Sequence, residues 1–249
     1  MRILVPLPAY GFDPSETAIP WKVLLKHGHE VVFATPQGMI AAADRRMVYG
    51  TGLGILKKLL KAREDAVAAY HEMEQSPEFM HPIKYNAIRE EDFDALLLPG
   101  GHDKGIKEYL ESPVLQQTVV DFFKVKKIVA AICHGVVLAA RSIDPATKES
   151  VIHQYKTTAL LRAQELTAYN MTRFWLKDYY LTYPRNTVQD QVMAALEDKR
   201  NFIPGPKPLF RDRINNIVRG FAVRDRNYLS ARWPGDAYRF SAEFLKMLA

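Results

Sequence analysis

The chain has 249 residues, 48% of them hydrophobic, and a single cysteine. Such a chain can build one large α/β domain or two small ones, and it excludes an intramolecular disulfide. Its charge of +6 comes with no run near the roughly 18 apolar residues of a membrane span; the short apolar start Met1–Pro8 lacks a cleavage site, so a cytoplasmic protein is expected.

In chain order, Arg2–Leu7 reads as a strand. Glu16–His27 reads as a helix, with Asp13 or Ser15 as cap and Gly28 as stop. Glu30–Thr35 is a second strand. Residues 39–89 interrupt the pattern as a helical insertion, in which Leu53–Glu74 is predicted as one long helix. Before it, Gly50-Thr51-Gly52-Leu53-Gly54 reads as a hinge, because it lacks the Lys-Ser/Thr of a phosphate loop. Asp94–Leu98 is a third strand ending in Pro99-Gly100-Gly101. Lys104–Lys124 is helical and broken near Pro113. Lys127–Ile132 is a short β-branched run that turns into an Ala- and Leu-rich helix after Cys133-His134-Gly135. Leu166–Asn170 is predicted as a strand, Thr187–Leu196 as a helix, Gly220–Val223 and Tyr228–Ser230 as a strand pair, and Asp236–Leu248 as a closing helix.

Strands alternating with helices specify a mostly parallel sheet with helices on both faces. Right-handed crossovers place the ends of the first, third and fourth strands on one edge. The late arginines, Arg211, Arg213, Arg219, Arg224, Arg226, Arg232 and Arg239, alternate with Asp212, Asp225 and Asp236. They read as a salt-bridged, solvated surface, so nucleic acid is not an expected partner, and neither is a membrane.

Three groups that could do chemistry converge on that edge. Cys133 sits at the strand-to-helix turn, flanked by the small residues Ala131 and Gly135, in the manner of a nucleophile elbow. The following helix presents its positive end to the sulfur, which favours thiolate. Gly100 and Gly101 let a substrate approach the backbone, and the N–H groups of Gly101 and His134 could form an oxyanion hole. Glu16, early in the first helix, could bond the sulfur or carry a proton, and His102 could face the pocket. His102, His153 and Glu16 lack tight ligand spacing, so no metal is expected.

Glu16 four residues before Pro20, Gly28-His29-Glu30-Val31, Leu97-Leu98-Pro99-Gly100-Gly101-His102, Ala131-Ile132-Cys133-His134-Gly135 and Asn227–Ala237 together resemble the ThiJ/PfpI family of the class I glutamine amidotransferase-like superfamily. The resemblance implies a single domain over residues 1–249 with a flavodoxin-like three-layer sandwich. It also implies a reactive Cys133, Glu16 bonded to its sulfur, His134 as the adjacent histidine, and a homodimer. The insertion at 39–89 makes the chain most similar to the branch of heat-shock chaperones and glyoxalase III enzymes, and it is expected to cover the Cys133 pocket as a lid.

The activity so implied is a cofactor-independent conversion of a reactive small carbonyl, a 2-oxoaldehyde, to a 2-hydroxy acid. A cysteine amidase or peptidase and a holding chaperone are the alternatives. The aromatic group Phe174, Trp175, Tyr179, Tyr180 and Tyr183 reads as core or dimer interface rather than chaperone surface. One departure stands out. The branch often orients its histidine with an acid shortly after the strand following the elbow helix; here only Glu165 and Asp178 offer substitutes.

Overall fold

The computed structural model describes all 249 residues. The first part of the chain runs β1 (Arg2–Pro6), β2 (Tyr10–Phe12), α1 (Pro14–Lys26), β3 (Glu30–Thr35), β4 (Ala42–Ala43), α2 (Arg45–Tyr49), α3 (Lys57–Leu60), α4 (Glu64–Glu74), α5 (Pro77–Met80) and β5 (Ile83–Lys84). It continues β6 (Ala95–Leu98), α6 (Ile106–Leu110), α7 (Pro113–Lys124), β7 (Ile128–Ile132), α8 (Gly135–Arg141), α9 (Arg162–Leu176), α10 (Val188–Ala194), β8 (Ala222–Asp225), β9 (Tyr228–Ala231) and α11 (Ala237–Leu248).

Seven strands form one sheet in the order β5-β3-β1-β6-β7-β9-β8, parallel except for the β8–β9 pair. The central strands are continuous apolar runs because they are covered on both faces: every residue of β6 is buried, and so are Val129–Ile132 of β7. On one side α1 packs against α4 and α11. α11 buries Phe240, Phe244 and Leu248, spaced four apart on one face. On the other side α7 turns Leu115, Val119, Phe122 and Phe123 inward and meets α8. The architecture is a flavodoxin-like α/β sandwich. β1, β6 and β7 lie side by side, so their carboxyl ends share an edge.

Three sequence expectations are corrected. Leu166–Asn170 is not a strand but the middle of α9. Its buried residues Glu165, Thr172 and Leu176 are seven and four apart, a helical stripe, and the sheet position beside β7 is occupied by β9. Leu53–Glu74 is not one helix. After a 3₁₀ turn at Gly54–Leu56, α3 ends at Lys61, whose ψ of 153° is extended, and α4 restarts at Glu64. The break is stabilised from outside: the Ala62 N–H bonds the Met47 carbonyl, and Arg211 takes the carbonyls of Leu59, Leu60 and Lys61.

The late arginines are not all solvated. Arg232 is 1% exposed and lies in a double contact with the buried Asp236, at 2.8 and 2.9 Å.

The insertion does not form a separate sheet of its own. β4 pairs with β2, and β5 adds an edge strand to β3. Leu53 is buried with Met47, Leu176, Tyr179 and Tyr180, and Leu60 packs beside them. Within the aromatic group, Tyr179 and Tyr180 are buried, Tyr183 is half-buried, and Phe174 is 85% exposed.

Candidate active site

Cys133 has φ +58°, a left-handed conformation that a non-glycine residue adopts at a cost of about 1–3 kcal/mol. The surroundings impose it. Its N–H donates to the Ala231 carbonyl at 3.0 Å, so β9 holds the turn from one side. A Cβ on Gly135 would come within 2.0 Å of the Leu98 carbonyl oxygen, so only glycine lets the start of α8 pass β6. A Cβ on Gly100 would lie 2.6 Å from the His134 nitrogen and 2.7 Å from Glu16 Oε2. The Gly100 and Gly135 positions therefore set how closely the β6 end, the elbow and α1 approach one another.

Glu16 is fully buried. It is not the helix cap: Asp13 is, accepting from the Ser15 and Glu16 N–H groups at 2.7 and 3.1 Å. That frees the Glu16 side chain to reach across the edge, where Oε2 accepts from the Gly100 N–H at 3.0 Å. The carboxyl lies beside the Cys133 thiol, and Oε1 is buried with no other partner. Burial, and then the nearby Asp13, raise the Glu16 carboxyl well above the ordinary carboxylate range.

The expectation of an acidified thiol is corrected. Cys133 is fully buried, and burial, followed by the Glu16 and Asp13 charges, pushes its thiol up. The opposing contribution is the His134 N–H, which points at the sulfur. α8 is only seven residues long, and its dipole does not offset full desolvation.

His134 is also fully buried, and burial and then the neighbouring His102 hold its imidazole well below the usual histidine value. Its Nδ1 is 3.5 Å from Cys133 Sγ, and its Nε2 is 3.0 Å from Thr182 Oγ1. The Thr182 hydroxyl can donate to the His102 carbonyl at 3.5 Å, which leaves its oxygen to accept from Nε2–H. That tautomer aims the Nδ1 lone pair at the thiol.

Neither expected acid holds His134. Glu165 Oε2 accepts from the Val188 N–H at 2.9 Å, and Asp178 pairs with Lys104 at 3.2 Å. Lys104 also donates to the carbonyls of Asp178 and Leu181, tying down the loop that carries Thr182. Thr182 carries no sequence signal, because a loop hydroxyl 48 positions from His134 leaves no spacing pattern.

His102 is buried against the site, its ring edge-on to those of His134 and Tyr180 at 5.1 and 5.2 Å. Burial lowers its imidazole to about 4. Donor atoms of His102, Cys133 and His134 lie within 4.8 Å of one another, a nitrogen and sulfur set that could hold a thiophilic ion. His153 is elsewhere, bonded through Nδ1 to the Ala195 carbonyl. Beyond His102 opens a cavity of about 480 Å³, whose wall includes Asp13 and Ser15 of the α1 start and Met47, Leu59, Leu60 and Ala62 of the insertion.

The fold and this edge define an open α/β protein built around a strained cysteine at a strand-to-helix turn. A family model described as ThiJ/PfpI family-like matches residues 7–206, and the chain belongs to that family. A curated relative, an uncharacterised protein of Schizosaccharomyces pombe, is 25% identical over 69% of this chain and 67% of its own. Among solved structures, glyoxalase III of Candida albicans is similar over 99% of this chain and 97% of its own, with TM-score 0.71 and 17% identity. DJ-1beta of Drosophila melanogaster is similar over 100% of this chain and 90% of its own, with TM-score 0.56 and 15% identity.

Proposed function

We propose that this protein is a cofactor-independent lyase of the glyoxalase III type, converting a 2-oxoaldehyde to a 2-hydroxy acid. The observation that carries the reading is the thiol of Cys133, held between the carboxyl of Glu16 and Nδ1 of His134, with His102 between this cluster and a cavity. The thiol adds to the aldehyde carbon while its proton passes through His134 Nδ1 to the new alkoxide oxygen, giving a neutral hemithioacetal. The Gly101 N–H, engaged by no backbone carbonyl, receives the developing oxyanion, while the His134 N–H stays on the sulfur. Gly100 cannot serve this way, since its N–H is committed to Glu16.

A proton then leaves the former aldehyde carbon and returns to the former ketone carbon through an enediol, with Glu16 and His134 as carriers. The product is a thioester, and water hydrolyses it to the 2-hydroxy acid and the free thiol. The aldehyde carbon is oxidised, the ketone carbon is reduced, one water is consumed, and no outside electron acceptor is needed. Likeness to the Candida glyoxalase III supports the reading at the level of fold.

The thiol itself is fully buried, which disfavours the peptidase alternative, because a polypeptide needs direct access to the nucleophile. Incubation with methylglyoxal tests the proposal: lactate forms with the wild type and not with Cys133→Ala. Loss of methylglyoxal at the uncatalysed rate defeats it. A holding chaperone, by contrast, keeps its activity in Cys133→Ala.

A further inference from the structure

The cavity lined by His102, one ring nitrogen of which lies within 4.8 Å of the Cys133 sulfur, is larger than a three-carbon oxoaldehyde requires. Its volume of about 480 Å³ falls within the roughly 300–1,000 Å³ of sites that enclose drug-sized molecules. Of 21 residues in its wall 11 are hydrophobic, among them Leu59 and Leu60 of α3, Met171 of α9, and Leu209 and Trp233. The charged groups that reach it are mostly committed elsewhere. Asp13 is bound by the α1 amides, Glu165 by the Val188 N–H, and Arg211 by three carbonyls of the insertion. Lys207 is exposed. Nothing inside the cavity is poised to grip an ionic ligand.

Neutral polar atoms are poised instead. His102 Nδ1, Tyr180 Oη, Gln164 Oε1 and Trp233 Nε1 are buried, lack a hydrogen-bond partner, and belong to residues of this one wall. Only eight such atoms occur in the chain, and a fifth, Glu16 Oε1, lies beside the thiol. Buried polar groups are ordinarily paired, so unpaired ones gathered in an apolar cavity mark where a ligand supplies the partner. Together they fit an apolar body bearing one or two neutral oxygens, which accept from Trp233 Nε1–H and donate to Gln164 Oε1.

We propose that this cavity binds the body of an aromatic or bulky alkyl 2-oxoaldehyde carrying a neutral oxygen substituent, and that His102 and Tyr180 seat its dicarbonyl end at Cys133. The inference rests on the glyoxalase reading above and extends it to a substrate class. The reaction balances as before: the aldehyde carbon is oxidised, the adjacent ketone carbon is reduced, and one water is added.

The test compares phenylglyoxal, 4-hydroxyphenylglyoxal and methylglyoxal, read as formation of the corresponding 2-hydroxy acid with Cys133→Ala as blank. The aryl substrates should exceed methylglyoxal in kcat/KM by at least about tenfold, the worth of a buried ring over a methyl group. Ala163→Phe, at an exposed position of α9 that lines the cavity, should erase that preference by lowering kcat/KM for the aryl substrates. Equal kcat/KM for aryl and methyl substrates, or a preference indifferent to Ala163→Phe, overturns the substrate class.

If no oxoaldehyde is turned over, the glyoxalase reading fails and the cavity is judged by binding alone. There 4-hydroxyacetophenone, which has the ring and ketone but no aldehyde, is titrated into Cys133→Ala and followed by tryptophan fluorescence. A saturable signal that disappears in Trp233→Phe supports an aryl site. No saturation into the millimolar range overturns it.

Discussion

At the scale of single residues, the site is a set of neutral groups in a dry environment. Glu16, His134 and Cys133 are each fully buried, and in each case burial is the largest influence on the proton. Burial thus biases each of the three toward its neutral form, with a short path between them. Glu16→Gln keeps an acceptor for the Gly100 N–H but cannot release a proton. It should lower kcat by about 10²-fold or more, the usual worth of a positioned acid–base group, without lowering the melting temperature.

The sign with pH follows from the raised carboxyl. The unfolded chain ionises Glu16 near its ordinary value of 4.5, whereas the folded chain ionises it well above. Between those values the unfolded state binds fewer protons, so the wild type loses stability as pH rises, and Glu16→Gln loses less, keeping only the share of other raised carboxyls such as Asp44, Glu165 and Asp212. Melting temperatures of the two proteins measured across this range should diverge with increasing pH. Parallel curves mean that the carboxyl is ionised in the fold.

At the scale of elements, the cavity is assembled from segments far apart in the chain and fastened by two arginines. Arg211 bridges the 207–212 stretch to α3 through the carbonyls of Leu59, Leu60 and Lys61. Arg232 pairs with Asp236 and donates to the carbonyls of Pro204 and Pro206, which lead into the cavity wall. Removing one partner of a buried pair leaves a charge in low dielectric and costs about 3–5 kcal/mol. Arg232→Met should show that loss in chemical denaturation, and Arg232→Met/Asp236→Asn should recover part of it. A single-variant loss below about 1 kcal/mol means that the ion pair contributes little beyond an ordinary hydrogen bond.

At the scale of the whole molecule, the thiol has no exposure to solvent, so access requires a local opening. Two residues of the cavity wall, Met47 and Tyr180, belong to a small cluster with Leu53 of the insertion, Leu176 at the end of α9 and Tyr179 after it. It is separate from the main core, which makes it a part that can open without global unfolding. Leu53→Ala removes the best-buried member and should destabilise the cluster by about 2–5 kcal/mol. Alkylation of Cys133 by iodoacetamide should then accelerate at least tenfold, while α7, α8 and the central strands keep their hydrogen-exchange protection. An unchanged alkylation rate means that reagents enter by another route.

Much of this was written in local sequence. The apolar runs at Ile3–Val5, Ala95–Leu98 and Ile128–Ile132 name central parallel strands, because only strands covered on both faces lack a polar alternation. Gly100, Cys133 and Gly135 were legible for a related reason: a tight strand-to-helix turn restricts which residue types fit, whatever surrounds it. Other features depended on contacts that no local window contains. Leu166–Asn170 has the composition of either a strand or a helix, and β9 at the side of β7 left it no place in the sheet. Arg211 broke the predicted long helix from 150 residues away. Thr182, not an acid, meets His134, because Lys104 fixes the loop that carries it. The thiol's proton affinity was also decided in three dimensions: the sequence shows a helix start beside Cys133, but only the packed fold shows how little water reaches it, and desolvation outweighs the field of a seven-residue helix.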